Sequence, residues 1–369
     1  MKKLMLTTAM VSVITTAAIA QTTITGELRI SGTMLNAEKG FGSTSGTSNS
    51  SYGMGSEQQI NIQTKGKLNL GGLDYAAGFS IENDGDQAST IFNENTFIDL
   101  TNASSGTTLS LSRDHIQRSD TDFSATNLVG FSPNELSQTG TTTNQSTRFK
   151  QNIGAAPGQS FGTALLQKTP VGTFSYNYVP NNGGAGATLT TTSGDTAGTS
   201  SSEAVSANTS SAYEYGFLGD LGVKGLTVHY FKNANDKQIT ASNDVKAEGK
   251  NYGVKYNFGQ VTVGANKKIH QAETTSTLKA STVVGTAVSE ITETAYAVAY
   301  AVNKDVTIGL LYGKAEQDNL TVEQKVKAIN IGYALGPVDL AVGYAKNTNL
   351  GGIVANDGDH FIARFIGKF

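Results

Sequence analysis

The side chains of this 369-residue chain that could perform chemistry do not form a recognisable catalytic group. The chain has no cysteine, so neither a disulfide framework nor thiol chemistry is available to it. The sequence also lacks a phosphate-binding motif. The four histidines show no metal-ligand spacing: His115, His229, His270 and His360. We therefore expect no catalytic residue, no metal site and no cofactor, although a hydrolase whose residues meet only in the fold remains an alternative.

One acidic motif, Asn-Asp-Gly-Asp, occurs twice, at 83–86 and at 356–359. Its clustered carboxylates could bind Ca²⁺ or bridge to lipopolysaccharide through divalent cations. Neither copy has the length or spacing of an EF-hand loop, and Asn-Asp-Gly sequences are typical of tight turns. We interpret both copies as turns and leave calcium binding open.

The remaining candidates act as fixed charges, and arginine is the most informative because it is always ionised. The chain has only five: Arg29, Arg113, Arg118, Arg148 and Arg364. Residue alternation places several charged side chains on the polar face of extended segments, namely Arg29, Lys65, Lys67 and Lys255, with Glu27, Asp74, Glu82 and Asp99. Arg113 shares a face with Leu109 and Leu111, so it reaches the polar face only if a bulge or twist redirects it.

The elements that must position these charges are strands, because apolar and polar residues alternate with period two. In the last strand Phe361, Ala363, Phe365, Gly367 and Phe369 share one face. Ile362, Arg364, Ile366 and Lys368 share the other. Similar runs occur in 24–31, 73–82, 252–258, 295–302, 329–335 and 338–345. This pattern favours an all-β transmembrane barrel, with apolar side chains towards lipid and polar ones towards a lumen.

The connections between strands alternate between seven short turns and eight long polar stretches, which predicts about sixteen strands. A large soluble sandwich also alternates, but it predicts neither this rhythm nor tyrosines at the strand ends. The longest connection, 117–160, needs a functional reason for its length. It carries Arg118, Asp120, Asp122 and Glu135, and we expect it to fold inwards and constrict the lumen.

The N-terminus predicts export from the cytoplasm. Two lysines precede an apolar stretch that ends in Ala18-Ile19-Ala20, a typical signal-peptide cleavage site. We therefore assign 1–20 to a signal peptide and 21–369 to a single barrel domain. The mature chain is mildly acidic, which argues against a nucleic-acid partner.

The pattern resembles the general porins of Gram-negative bacteria. Three passages carry the resemblance: Asn251 to Gly259, Ala295 to Gly313 and the terminal Phe369. It implies a sixteen-stranded barrel in the outer membrane, usually a homotrimer, with an inward-folded third external loop. It also implies contacts with outer-membrane lipid and lipopolysaccharide, and Phe369 as an assembly signal for the barrel-assembly machinery.

A barrel of about sixteen strands encloses a lumen that side chains cannot fill. We therefore expect a water-filled channel for passive diffusion of ions and small hydrophilic solutes, with the charges named above lining or constricting it. The net negative charge of the chain and of the first half of 117–160 favours a weak cation preference. A substrate-selective pore and a surface or adhesin barrel remain alternatives.

Overall fold

The computed structural model describes most of the region after residue 20. The described residues are 21–37, 49–68, 71–84, 92–113, 123–137, 149, 162–182, 188–191, 199–202, 210–235, 238–239, 244–273, 289–318, 322–352 and 354–369. The predicted signal peptide and residues 118–122 lie outside this set, as does the side chain of Arg113.

Strands dominate the described residues, together with two single-turn 3₁₀ helices, Glu135–Ser137 and Leu350–Gly352. The strands are β1 (Gln21–Ala37), β2 (Asn49–Lys67), β3 (Leu73–Asp84), β4 (Phe92–Asn102), β5 (Thr107–Arg113), β6 (Gly162–Thr169), β7 (Gly172–Asn182), β8 (Thr188–Thr191), β9 (Thr199–Ser202), β10 (Ser210–Gly219), β11 (Leu226–Asn235), β12 (Gln238–Ile239), β13 (Asp244–Asn257), β14 (Val261–Glu273), β15 (Ser289–Ala301), β16 (Val306–Gln317), β17 (Gln324–Ala334), β18 (Val338–Thr348) and β19 (Gly358–Lys368).

Sixteen of these strands form one closed antiparallel barrel, as the sequence predicted. Each barrel strand pairs with its neighbours in the chain, and β1 pairs with both β2 and β19. The other three strands lie in long connections, where β8 pairs with β9 and the two-residue β12 adds to β13. A closed barrel leaves no unpaired sheet edge, which is the requirement for a sheet that crosses lipid.

The closing seam joins the two ends of the chain. Ser31 of β1 lies opposite Arg364 of β19, and the pairing continues to Ala37 opposite Gly358. The N–H of Gly26 donates to the Phe369 carbonyl at 2.7 Å, and the N–H of Phe369 donates back to the Gly26 carbonyl at 3.0 Å. A Cβ atom at Gly26 would lie 2.3 Å from the Phe369 ring, so this position accepts only glycine without a shift of the ring. The last strand thus pairs with β1 from Gly26 to Ala37 and closes the ring.

All seven predicted short turns join consecutive barrel strands at one end of the barrel. Glycines in the left-handed region help to form them, including Gly71, Gly106, Gly259 and Gly336. At the other end, the stretch 37–57, which we interpret from the sequence as one of the eight long connections, is shorter than expected. The strand β2 already begins at Asn49, opposite Ala37, because the backbone of β1 pairs with this polar, Ser/Gly-containing stretch.

The two faces of the barrel differ as the alternation predicted. The outer face exposes aliphatic and aromatic side chains, including Ile24, Leu310 and Phe365. Tyrosines also lie on this face: Tyr215, Tyr230 and Tyr252 follow one another across neighbouring strands, and the distances between adjacent ring centres are 6.4 and 6.5 Å. No helix in the described residues is long and apolar enough to cross a membrane.

Candidate functional site

The most informative feature of the lumen is residues 123–137, which we call the infolded segment. It lies within the barrel and crosses the inner faces of β11, β13, β14 and β16–β19. It belongs to the long connection 117–160 that was expected to fold inwards. The lumen is therefore narrowed from one side.

Polar side chains on the wall hold the first part of this segment. Asn251 donates from Nδ2 to the carbonyl of Phe123 at 2.7 Å, and the Phe123 ring meets the edge of His229 at 4.7 Å. The N–H of Ala125 donates to Oδ1 of Asn266 at 3.2 Å, while Nδ2 of Asn266 donates to Oδ1 of Asn251 at 3.1 Å. Buried backbone groups of the segment thus find partners on β13 and β14, which a loop placed inside a protein requires.

Small residues on the wall make room for the segment. A Cβ atom at Gly264 would lie only 2.0 Å from the carbonyl oxygen of Ala125, and one at Gly309 would lie 2.6 Å from Val129. One at Gly343 would lie 3.0 Å from the Phe131 ring. The alanines of β15 that face inwards, at 295, 297 and 299, are buried on the same wall. Larger side chains at these glycine and alanine positions would displace the segment.

The second part of the segment forms a capped turn. Oε2 of Glu135 accepts hydrogen bonds from the N–H of Ser132 at 2.8 Å and from its hydroxyl at 3.0 Å. This Ser-Pro-Asn-Glu sequence is a capping box, with Pro133 in the first helical position where its missing N–H costs nothing. Ser137 then donates to the carbonyl of Pro133 at 2.7 Å. The turn is therefore fixed locally by its own sequence.

An apolar cluster attaches this turn to the wall. Phe131, Leu136 and Phe149 are almost fully buried. They pack with inward-facing residues of β16–β19, namely Leu311, Ala315, Val326, Ala328, Ala345 and Ile362. Burying a large side chain of this kind contributes roughly 1.5–3 kcal/mol. The segment is thus attached to the wall by a small hydrophobic core inside the barrel.

An ion pair closes the contact between this turn and the seam of the barrel. Arg364 donates to Oε1 of Glu135 at 2.7 Å, and its guanidinium carbon lies 5.0 Å from the centre of the Phe131 ring. The side chains of Arg364 and Glu135 are only 16% and 26% exposed. Arg364 also donates to the hydroxyl of Ser31 at 3.3 Å. Glu135 therefore carries a compensated charge.

The opposite wall, β1–β6, carries charged side chains on its inner face. Arg29 donates to Glu27 at 2.9 Å and to Glu57 at 2.5 Å. Glu82 and Asp99 face inwards from β3 and β4 and are nearly buried. The residues Arg29 and Glu27, selected from the sequence, lie on this inner face.

At the short-turn end the lumen contains two neighbouring cavities, which together we call the vestibule. One, of about 880 Å³, is lined by Lys65, Lys67, Asp74, Asp99 and Lys168, among others. The second, of about 920 Å³, is lined by Phe123, Lys168 and Lys255, among others. The candidates Lys65, Asp74 and Lys255 therefore face one vestibule, together with Lys168, which the sequence analysis had not selected.

The structure does not describe every residue that the sequence selected. Arg118, Asp120 and Asp122 lie outside the described residues, and so does the side chain of Arg113. The sequence analysis placed Arg364 towards the lumen but did not anticipate its partner Glu135. It also missed Asn251 and Asn266, for which the only available signal was an asparagine on the inner face of a strand.

Comparison with known proteins assigns the chain to a family. Residues 7–352 match the family model described as Gram-negative porin. The chain belongs to the Gram-negative porin family. The resemblance inferred from the sequence is confirmed, and no curated protein sequence matches the chain.

Solved porin structures share the fold of this porin at low sequence identity. An anion-selective porin from Comamonas acidovorans is 12% identical, with 95% of this chain and 100% of the other covered and a TM-score of 0.63. OmpF of Salmonella typhi, in complex with daunomycin, is 13% identical, with 95% and 98% covered and a TM-score of 0.56. The trimer form of OmpT of Vibrio cholerae is 11% identical, with 95% and 99% covered and a TM-score of 0.56.

Family membership and the closed barrel establish the general role of this porin. It is an outer-membrane channel for the passive diffusion of solutes. The inward-folded segment and the two differently built walls are the features from which its properties follow.

Proposed function

We propose that this porin is a general diffusion channel for ions and small hydrophilic solutes, and that the infolded segment forms its narrowest section. The observation that carries the proposal is the attachment of residues 123–137 to one wall, while polar side chains such as Arg29 and Glu57 lie on the inner face of the opposite wall. Solutes would pass between the two. The family and fold indicate a channel rather than an enzyme, and we propose no covalent chemistry.

The charges at the middle of the barrel support a weak ionic preference. Arg364 and Glu135 compensate each other, and Arg29 lies between the carboxylates of Glu27 and Glu57. Rings of fixed charge set ionic preference in pores, and compensated pairs contribute little to such a ring. These five side chains together carry one more carboxylate than cations, which favours a small cation preference.

Single-channel recording in a planar lipid bilayer tests this proposal. The purified porin should give stable open-channel steps whose size rises in proportion to salt concentration, because the lumen is water-filled. The reversal potential in a salt gradient should indicate weak cation preference. A folded barrel that inserts but gives no open-channel steps would contradict a diffusion channel.

We also propose that the porin forms a homotrimer, contacts lipopolysaccharide and outer-membrane lipid, and uses Phe369 as its assembly signal. One structural neighbour is described as a trimer form, which supports an oligomer. The position of Phe369 at the closing seam supports its role in assembly. Native mass spectrometry of the detergent-extracted porin measures the subunit number. Deletion of Phe369 should lower the yield of inserted barrel without changing the conductance of the channels that do insert.

A further inference from the structure

The charged residues of the lumen are unequally distributed along the barrel axis. Within the described residues, five lysines and four carboxylates lie at the inner face and in the cavities near the short turns. The lysines are Lys65, Lys67, Lys168, Lys255 and Lys368, and the carboxylates are Asp74, Asp99, Asp220 and Asp339. Of the turns at this end, only the uncharged residues 69–70 lie outside the described part of the chain. Among the described residues, lysines therefore outnumber carboxylates at this mouth.

Four of these lysines form no ion pair within the part of the chain that the structure describes, although Lys67 lies opposite Asp74 in the strand register. Lys368 pairs with Asp339 at 3.6 Å. Within the described residues no carboxylate lies within ion-pair distance of Lys65, Lys67, Lys168 or Lys255. Lys65 and Lys67 point from the same face of β2 and are roughly 7 Å apart along the strand. Lys168 lines both cavities of the vestibule, between Lys65 on one side and Lys255 on the other.

The middle of the barrel has the opposite balance. Among the described residues, five glutamates face inwards or belong to the infolded segment, against three cations. The glutamates are Glu57, Glu82, Glu135, Glu214 and Glu293, and the cations are Arg29, Lys268 and Arg364. Glu27 lies between the two levels, opposite Lys368 in the strand register. A solute that enters from the short-turn side thus meets positive charge first and net negative charge further in.

We propose that the short-turn vestibule is a binding site for small solutes that carry several phosphate or carboxylate groups. Lysine ammonium groups on flexible stems attract anions as point charges and do not require one anion geometry. Walls of low dielectric constant concentrate the field of like charges in a cleft and raise the local concentration of counter-ions. The acidic middle section then slows the passage of the same anions, so they dwell at this mouth.

This inference rests on the proposed diffusion function and adds a substrate class and a direction to it. Outer-membrane barrels have short turns on the periplasmic side and long loops outside. Multivalent anions should therefore reach the vestibule readily from the periplasm. From the other side they must first cross the constriction and its carboxylates. Multivalent anions that bind in the vestibule should therefore block the channel from the periplasmic side only.

The test is single-channel recording with inorganic tripolyphosphate added to one compartment at a time. The variant Lys65→Gln/Lys168→Gln/Lys255→Gln removes the charges of the vestibule and keeps side chains of similar size. The control variant Lys224→Gln/Lys304→Gln removes two lysines from short turns at the same end but outside the lumen, where Lys304 is highly exposed. Citrate replaces the phosphate groups by carboxylates in a second arm, and spermine serves as a cationic comparison.

We expect tripolyphosphate to block each channel from one compartment only, with citrate acting more weakly and spermine not acting from that side. The apparent dissociation constant should rise about tenfold or more in the triple variant and stay unchanged in the control variant. Block of equal strength from both compartments would overturn the inference, and so would block that the triple variant retains in full.

A second measurement separates this inference from the diffusion function. Calorimetric titration of the detergent-folded porin with tripolyphosphate reports binding without requiring current. If the porin binds tripolyphosphate and the triple variant does not, the vestibule site is supported, even for a barrel that conducts no ions. A barrel that conducts no ions would contradict only the proposed channel. If the triple variant does not fold, Lys168→Gln alone should weaken binding about two- to threefold, because Lys168 lines both cavities. No change in that variant would count against the site.

Discussion

Two halves of one barrel wall are built from different residues although they follow the same strand pattern. On the covered wall, β13–β19, glycine, alanine and apolar side chains face inwards and contact the infolded segment. On the free wall, β1–β6, Arg29, Glu57 and other polar side chains face the lumen. Both walls keep an apolar outer face.

The difference shows that the inner face of a porin strand serves one of two purposes. Where a residue supports the infolded segment, the size of its side chain determines whether it is tolerated, because an added atom would collide with the segment. Where a residue borders water, the charge of its side chain determines its effect, because that charge attracts or repels the ions that pass. Substitutions of the same kind should therefore have different effects on the two walls.

The largest expected effect is a loss of stability on the covered wall. Gly264→Ala would place a Cβ atom 2.0 Å from the Ala125 carbonyl oxygen, whereas Gly55→Ala on the free wall would meet nothing within 4 Å. Overpacking of this kind costs roughly 1–3 kcal/mol. We expect a lower thermal unfolding midpoint and noisier conductance for Gly264→Ala only. Equal behaviour of the two variants would contradict the distinction between the walls.

The next effect concerns the ion pair that joins the infolded segment to the seam. Arg364→Gln removes the partner of Glu135 and the cation above Phe131, and we expect a destabilisation of about 1–3 kcal/mol. Lys368→Gln is the control, because Lys368 lies on the same face of β19 with a side chain 63% exposed. Thermal unfolding and the frequency of channel closures measure both. A stable, quiet Arg364→Gln channel would show that the pair does not hold the segment.

Much of this fold could be predicted from the sequence because strand alternation is a local signal. The outward position of Phe361, Phe365 and Phe369 and the seven short turns follow from residues close together in the chain. A glycine such as Gly264, by contrast, gives no sign in the sequence of what approaches it. Its meaning depends on Ala125, which only the folded barrel brings near.

The candidate site could be predicted only in part for the same reason. The inward direction of Arg29 followed from parity, but its neighbour Glu57 lies on another strand and depends on register. The pairing of Glu135 with Arg364 could not be predicted, because it depends on the path by which the infolded segment reaches β19, the last strand of the chain. Sequence alternation contains neither the register between distant strands nor the path of a loop.

A smaller effect should appear in ion selectivity, and it should be confined to the free wall. Arg29→Gln leaves Glu27 and Glu57 uncompensated, so the cation-to-anion permeability ratio should rise about two- to fivefold at low salt. Glu57→Gln should lower the same ratio. The reversal potential in a salt gradient measures both. Shifts in the same direction for these two variants would rule out electrostatic control by this cluster.

The smallest effect concerns an ion-pair group outside the lumen, at the rim of the covered wall. Hydrogen bonds from Lys325, and then from Lys314, hold the pKa of Glu323 below its usual range. The ionised Glu323 carboxylate therefore stabilises the fold above the ordinary pKa of a glutamate, about 4.3, and this stabilisation is lost as the pH falls further. The thermal unfolding midpoint of Glu323→Gln should lie slightly below that of the unsubstituted porin at pH 7 and coincide with it near pH 3. A difference between the two midpoints that grows towards low pH would show that the pKa of Glu323 is not lowered by its lysine partners.

The central claim is that the infolded segment already rests on the covered wall in the conducting channel. The chain contains no cysteine, so the pair Val129→Cys/Gly309→Cys reports this contact alone. A Cβ atom at Gly309 would lie 3.3 Å from Cβ of Val129, close to disulfide range. We predict that oxidation closes the disulfide nearly completely and leaves the single-channel conductance almost unchanged. Failure to form the bond, or a large change in conductance when it forms, would contradict the account.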